Sequence, residues 1–168
     1  MKLTLLTTGG TIDKTYNEHK GVLANYDTVL DRILAGLRLP DIDIDHIEVM
    51  NKDSLEMTET DRAMLLQAVL DAQAYSDAIL ITHGTDTLAE SGEYLVDHLH
   101  PARIPVVLTG AMRPYEFRDS DAVQNVTEAL LAVRLLGPGV YVVMHNRVLN
   151  FPGVIKNRTQ LCFERRTT

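Results

Sequence analysis

The chain has a single cysteine, no concentrated basic surface and no long apolar run, and each shortage removes a class of protein. Cys162 alone cannot close an internal disulfide and suits a reducing compartment. Sixteen Lys and Arg against 23 Asp and Glu leave a formal charge of −7. Basic residues do not cluster beyond Arg165-Arg166, so no nucleic-acid partner is expected. No apolar stretch approaches bilayer length, and the amino terminus enters a strand pattern at once, Lys2-Leu3-Thr4-Leu5-Leu6, without a charged-then-apolar signal segment. The expectation is a cytoplasmic protein that does not engage a membrane. The six histidines, His98 and His100 among them, lack catalytic-metal spacing, so no metal is expected. Lys14-Thr15 mimics the end of a phosphate-binding loop, but the preceding residue is Asp13 rather than glycine, and no G-x-G-x-x-G occurs. No nucleotide or other cofactor is expected.

What is present fits one ordinary domain spanning residues 1–168, with 45% hydrophobic and 23% charged residues. Strand-like runs lie at Lys2–Thr7, Ile44–Asn51, Ala78–Thr82, Pro105–Leu108 and Val140–Met144. Helical patterns separate them. The first places Leu30, Ile33, Leu34 and Leu37 on one face. The second opens with a capping-box pattern, Thr58-Glu59-Thr60-Asp61, and carries Leu66, Val69, Leu70 and Ala74. The third starts near Asp86 or Thr87. The fourth follows Asp119-Ser120-Asp121 with Val123, Val126, Leu130 and Val133, and Gly137-Pro138-Gly139 stops it. This alternation predicts an α/β fold, a three-layer α/β/α sandwich on a mostly parallel sheet. The polar tail Glu164–Thr168 is expected to fray.

Three of the apolar runs end in chemistry-bearing segments: Thr7-Thr8-Gly9-Gly10-Thr11-Ile12-Asp13, His83-Gly84-Thr85-Asp86-Thr87, and Thr109-Gly110-Ala111-Met112-Arg113-Pro114. Open α/β sheets bind ligands beyond the carboxyl ends of their strands, which is where these segments fall. Two of them present threonine directly after glycine, so a hydroxyl stands beside backbone that a ligand can approach. Thr11 is the candidate nucleophile; its plainer alternative is a turn or cap hydroxyl. His83 is expected to pack beneath the helix start rather than to catalyse.

Taken together, the three segments resemble the signature stretches of the bacterial-type L-asparaginase family, some members of which also act on glutamine. The resemblance runs from Lys2 to about Phe163 and corresponds to that family's amino-terminal domain, with the carboxyl-terminal domain missing. It implies hydrolysis of L-asparagine to L-aspartate and ammonia, with Thr11, Tyr16, Thr85, Asp86 and Lys156 as catalytic residues. Lys156 is implied by the segment Val148–Lys156; taken alone it reads as a surface lysine. Between a threonine and polar walls, a lysine is a candidate base. Asp86 would also take the substrate ammonium, although Thr85 or Asp86 could simply cap the following helix. The family segment around Asp53 and Ser54 holds the substrate α-carboxylate, while Gly10, Gly84, Ala111 and Met112 would line the pocket. Leu55 departs from the family, which often has glutamine there. Tyr16 is the obvious occupant of the loop Asp13–Gly21. The family also implies a homodimer or homotetramer, with an acidic residue from a neighbour's second domain that nothing here matches. The competing readings are a non-catalytic amino-acid-binding module and an amidase for glutamine or another carboxamide.

Overall fold

The computed structural model describes residues 1–99 and 101–166. In chain order the elements are β1 (Lys2–Gly9), a hairpin of β2 (Lys14–Asn17) and β3 (Val22–Asn25), α1 (Leu30–Ala35), β4 (Asp43–Lys52), α2 (Glu59–Ala72) and β5 (Ala78–Thr82). There follow α3 (Leu88–His98), β6 (Pro105–Thr109), α4 (Ala122–Leu135), β7 (Gly139–Met144), β8 (Arg147–Asn150) and a hairpin of β9 (Val154–Asn157) and β10 (Cys162–Arg165). The central sheet has the order β4-β1-β5-β6-β7-β8, parallel throughout except for β8.

Every residue of β5 and β6 is buried, as expected of parallel strands covered on both faces. On one face Leu3, Leu5, Leu80 and Val107 pack with Leu30 and Ile33 of α1 and with Val126 and Leu130 of α4. On the other, Leu6, Ile79, Ile81 and Leu108 pack with Leu65 and Val69 of α2 and with Leu88 and Leu95 of α3. The molecule is thus the anticipated three-layer sandwich. From β1 the chain goes first to β4 on one side and then to β5 on the other. The strand order therefore reverses between β1 and β5, and sheets of this kind open a crevice at such a switch point.

Some local expectations change. Thr58 and Asp61 do form the reciprocal capping box, with Asp61 Oδ2 accepting from the Thr58 N–H at 2.8 Å. The buried face of α2, however, is Leu65, Val69 and Ala72, while Leu70 is exposed. Leu65-Leu66 and Val69-Leu70 are adjacent apolar pairs, so two faces satisfy the same period. Val123 of α4 is exposed, and Ala122 and Ala129 take its place in the core. The described part of the tail expected to fray is paired instead: Glu164 faces Ile155 and Arg165 faces Val154 across β9–β10. Arg166 N–H donates to the Gly153 carbonyl at 2.9 Å. Residues 167–168 and His100 lie outside the described residues. No helix among the described residues is long and apolar enough to cross a membrane.

Candidate active site

The strand tips expected to meet do meet. Gly10, at the end of β1, has φ 87° and ψ −171°, a conformation essentially reserved for glycine. Its backbone packs so closely on Gly84 that an added Cβ would overlap the Gly84 Cα and N. Gly84 in turn faces Ser54, with Ser54 Oγ only 2.5 Å from where a Gly84 Cβ would stand. At the third tip, Gly110 lies against the His83 carbonyl and the methyl of Thr85. Four segments that follow β1, β4, β5 and β6 are therefore stacked edge to edge at the switch point. Gly10 is held in place by its N–H to the Lys52 carbonyl (2.9 Å) and by Asn25 Nδ2 donating to its own carbonyl (2.8 Å). Thr11 opens the short 3₁₀ turn Thr11–Asp13 and is half-buried.

Thr85 is buried, and its hydroxyl accepts from Lys156 Nζ at 2.8 Å. The same ammonium pairs with Asp86 Oδ1 at 2.9 Å. Lys156 belongs to β9, and its side chain is only 11% exposed, so this contact is built into the fold rather than lying on the surface. Glu93 of α3 docks the preceding segment by accepting from the N–H groups of Gly153 (2.6 Å) and Val154 (3.3 Å). Arg158, which follows β9, adds a second cation on Asp86 Oδ1 at 3.1 Å. Asp86 Oδ2 accepts no hydrogen bond among the described residues.

Ser54 is buried at the start of a 3₁₀ turn that Asp53 caps. The Asp53 carboxylate accepts from Leu55 N–H at 3.0 Å and from Lys14 Nζ at 2.6 Å, and the Lys14 bond, then the Leu55 bond, holds its pKa below the ordinary 3.8. Asp53 thereby ties the β2–β3 hairpin to the serine turn. Tyr16, on that hairpin, is 59% exposed, and its hydroxyl makes no hydrogen bond among the described residues; its N–H donates to Glu116 at 2.8 Å. Ala111 is buried in the core with Ala122 and Val126, and Met112 is partly buried on the other face, so this tip offers mainly backbone to the crevice. The cleft lined by Leu37–Ile42 with α4 has none of these residues in its wall, while the one lined by Arg32 with Tyr115–Arg118 touches them only through Glu116, the Tyr16 acceptor.

Buried polar groups brace the tips from below. Asp13 accepts from Thr28 Oγ1 (2.9 Å) and Val29 N–H (2.8 Å), and burial pushes its carboxyl above the ordinary range. His83 is fully buried, with Nδ1 2.8 Å from the Gly84 carbonyl and Nε2 2.8 Å from Ser91 Oγ. A carbonyl only accepts, so Nδ1 carries the proton and Nε2 accepts from Ser91. Burial holds the imidazole pKa down, to about 4, and His83 is neutral at pH 7. Because that value lies below the unfolded 6.5, the associated stability is complete above pH 6.5 and is lost as the pH falls from there through about 4. The full loss is about 3 kcal/mol, at ~1.4 kcal/mol per unit. Asp61, held down to about 2 first by the Lys52 hydrogen bond, gives up its share only lower, between 3.8 and about 2. Urea midpoints should therefore decline from pH 7 to pH 4, and His83→Gln should flatten that decline; parallel slopes in both proteins would contradict it.

Several contributors carry little or no signal in the sequence. Arg158 sits in a polar turn with no periodicity, and Glu93 has the spacing of an exposed helix residue. Asp121 marks a helix start and nothing more, Asn125 falls only in an N-x-T pattern unrelated to this site, and His145 falls in no motif, although the three join beside the third tip. The one available signal is an asparagine within an otherwise apolar helix face, and it is buried.

A parallel sheet whose switch point gathers hydroxyls and charges is the architecture of small-ligand-binding α/β proteins. Within that class the chain belongs to the asparaginase family: residues 2–164 match the profile described as "Asparaginase, N-terminal". It is 40% identical over 152 residues to the L-asparaginase of Thermococcus kodakarensis, covering 89% of this chain and 45% of that protein. Escherichia coli L-asparaginase 2 is 31% identical over 165 residues, 94% of this chain and 47% of that relative. A glutamyl-tRNA(Gln) amidotransferase component of Methanococcus vannielii is 31% identical over 148 residues, 87% and 34% respectively. Among solved structures, the thermostable L-asparaginase from Thermococcus kodakarensis superposes with a TM-score of 0.88 at 36% identity, covering 98% of this chain and 51% of that one. The chain spans about half the length of these two L-asparaginases.

Proposed function

We propose that the chain carries a threonine-based site that hydrolyses the side-chain amide of L-asparagine, yielding L-aspartate and ammonia. The observation that carries this reading is Lys156 Nζ in contact with both Thr85 Oγ1 and Asp86 Oδ1, in the segment whose Gly84 backbone packs directly on Gly10, the residue before Thr11. Thr11 Oγ1 attacks the amide carbon and forms a tetrahedral intermediate. The C–N bond then breaks as the amide nitrogen takes the proton that the Thr11 hydroxyl gave up, ammonia leaves, and water hydrolyses the resulting ester, releasing aspartate and returning a proton to Thr11 Oγ1. Lys156, hydrogen-bonded to Thr85 Oγ1, is within reach to relay a proton through that hydroxyl. Backbone N–H groups at the glycine tips, other than that of Gly10, which the Lys52 carbonyl engages, meet the developing oxyanion. Asp86 Oδ2, left without a protein partner among the described residues, takes the substrate ammonium, and Ser54 takes the α-carboxylate. Tyr16 joins Thr11 only when the β2–β3 hairpin folds over bound substrate. No cofactor enters the reaction. We further propose a homodimer or homotetramer that works in the cytoplasm, a setting that suits the lone, buried Cys162.

Ammonia release from L-asparagine by the purified chain tests the reading. A second reading, hydrolysis of glutamine or another carboxamide, is favoured by the similarity to the amidotransferase relative. Faster release from glutamine than from asparagine would select it. Calorimetric binding of asparagine without ammonia release would instead mark a binding module.

A further inference from the structure

We propose that Asp121, locked by His145 and Asn125, is a positioning residue that fixes the Gly110–Arg113 tip against Thr85; this rests on the hydrolase reading above. After β6 ends at Thr109, the chain runs to α4 without regular structure, so its backbone groups must find partners elsewhere. Asp121 supplies two of them. Its Oδ2 accepts from Met112 N–H and its Oδ1 from Arg113 N–H, both at 3.0 Å. Asn125 Nδ2 donates to the Gly110 carbonyl (2.9 Å) and to Asp121 Oδ2 (2.8 Å). The third member comes from the turn between β7 and β8, where His145 and Asn146 take φ 52° and 60°. His145 N–H donates to Asn125 Oδ1 at 3.1 Å, and His145 Nε2 lies 2.7 Å from Asp121 Oδ2. An ionised carboxylate only accepts, so Nε2 is the donor.

The result is a closed set of charge-assisted hydrogen bonds joining three elements, with the tip suspended from it. Burial alone would raise the Asp121 pKa, but the bonds from Met112, His145 and Arg113 outweigh it and keep the carboxyl below its ordinary value. The Gly110 backbone stands against the methyl of Thr85, so the clamp sets one wall of the space in which the Thr85 hydroxyl meets Lys156. None of the clamp residues needs to touch substrate to do this. The positive φ of His145 and Asn146 is what a two-residue hairpin between Met144 and Arg147 calls for, and the clamp uses the side chain which that turn presents.

The test uses the full chain and two substitutions at the turn. His145→Asn tolerates the left-handed backbone but is too short to bridge to Asp121; His145→Gln keeps an N–H donor at comparable reach. Amide hydrogen exchange at Met112 and Arg113 should accelerate about 10-fold in His145→Asn, the scale of a lost bond to a charged group, and recover in His145→Gln. Amides within β5 should keep their wild-type rates. The kcat for asparagine should fall in His145→Asn with KM within twofold and be restored in His145→Gln. Unchanged exchange at Met112 and Arg113, or equal acceleration everywhere, overturns the clamp. Selective acceleration with wild-type kcat overturns its role at the site. A wild-type chain that releases no ammonia defeats the hydrolase reading and the service to it, while the exchange data still decide whether the clamp exists.

Discussion

Thr85→Val and Lys156→Met should each lower ammonia release from asparagine by about 10²–10⁴-fold, the range spanned by a positioned proton-transfer group. Valine keeps the shape of threonine and the methyl that meets Gly110, and it removes only the oxygen to which Lys156 Nζ donates. Methionine keeps the length of the lysine stem in a site where the side chain is 11% exposed. Asp86 then retains Arg158 as its counter-ion, so Lys156→Met does not strand an unpaired carboxylate. The unfolding midpoints of both variants should stay near wild type. The double variant should be no slower than the worse single, because groups that act as one unit are not additive. Steady-state rates on the two singles and the double check this; independent, multiplying losses would show that Thr85 and Lys156 do not share one step.

A second large effect is expected at Gly10, this time on folding. Alanine there meets two separate penalties. A backbone at φ 87° and ψ −171° costs a non-glycine residue about 1–3 kcal/mol. The new methyl also overlaps the Gly84 Cα and N, and backbone cannot swing aside as a flexible side chain would. Overpacking of this kind adds about 1–3 kcal/mol, so the total should fall at about 2–6 kcal/mol. Gly21→Ala provides the control. It also has a positive φ, 65°, but nothing lies within 4 Å of the added carbon, so its cost should stay within about 1–2 kcal/mol. Equilibrium urea unfolding of the two variants measures the difference. Equal losses would mean that the contact between the β1 and β5 tips is not tight.

The sandwich is legible in the sequence because β5 and β6 are continuous apolar runs, the pattern that burial on both faces demands. The edges of the fold are less so. The hairpins β2–β3 and β9–β10 are half-exposed and show no clean alternation, so their pairing arises from turns and tertiary contacts rather than from pattern. The site divides the same way. Thr11 and Thr85 announce themselves as hydroxyls after glycine at strand ends. Lys156 is 71 residues from Thr85 and stands out only through its family-like segment. Arg158, Asp121 and His145 carry no motif that points to this site, because their roles depend on which loops the fold brings together.

The claim on which all of this turns is that the first and third parallel strands in chain order deliver their hydroxyls to one ligand. A crystal structure with L-aspartate bound tests it most directly. The account predicts the ligand's side-chain carboxylate within hydrogen-bond reach of both Thr11 Oγ1 and Thr85 Oγ1, with its ammonium on Asp86. Aspartate seated in another cleft, or touching one of those threonines while the other faces away, would contradict it.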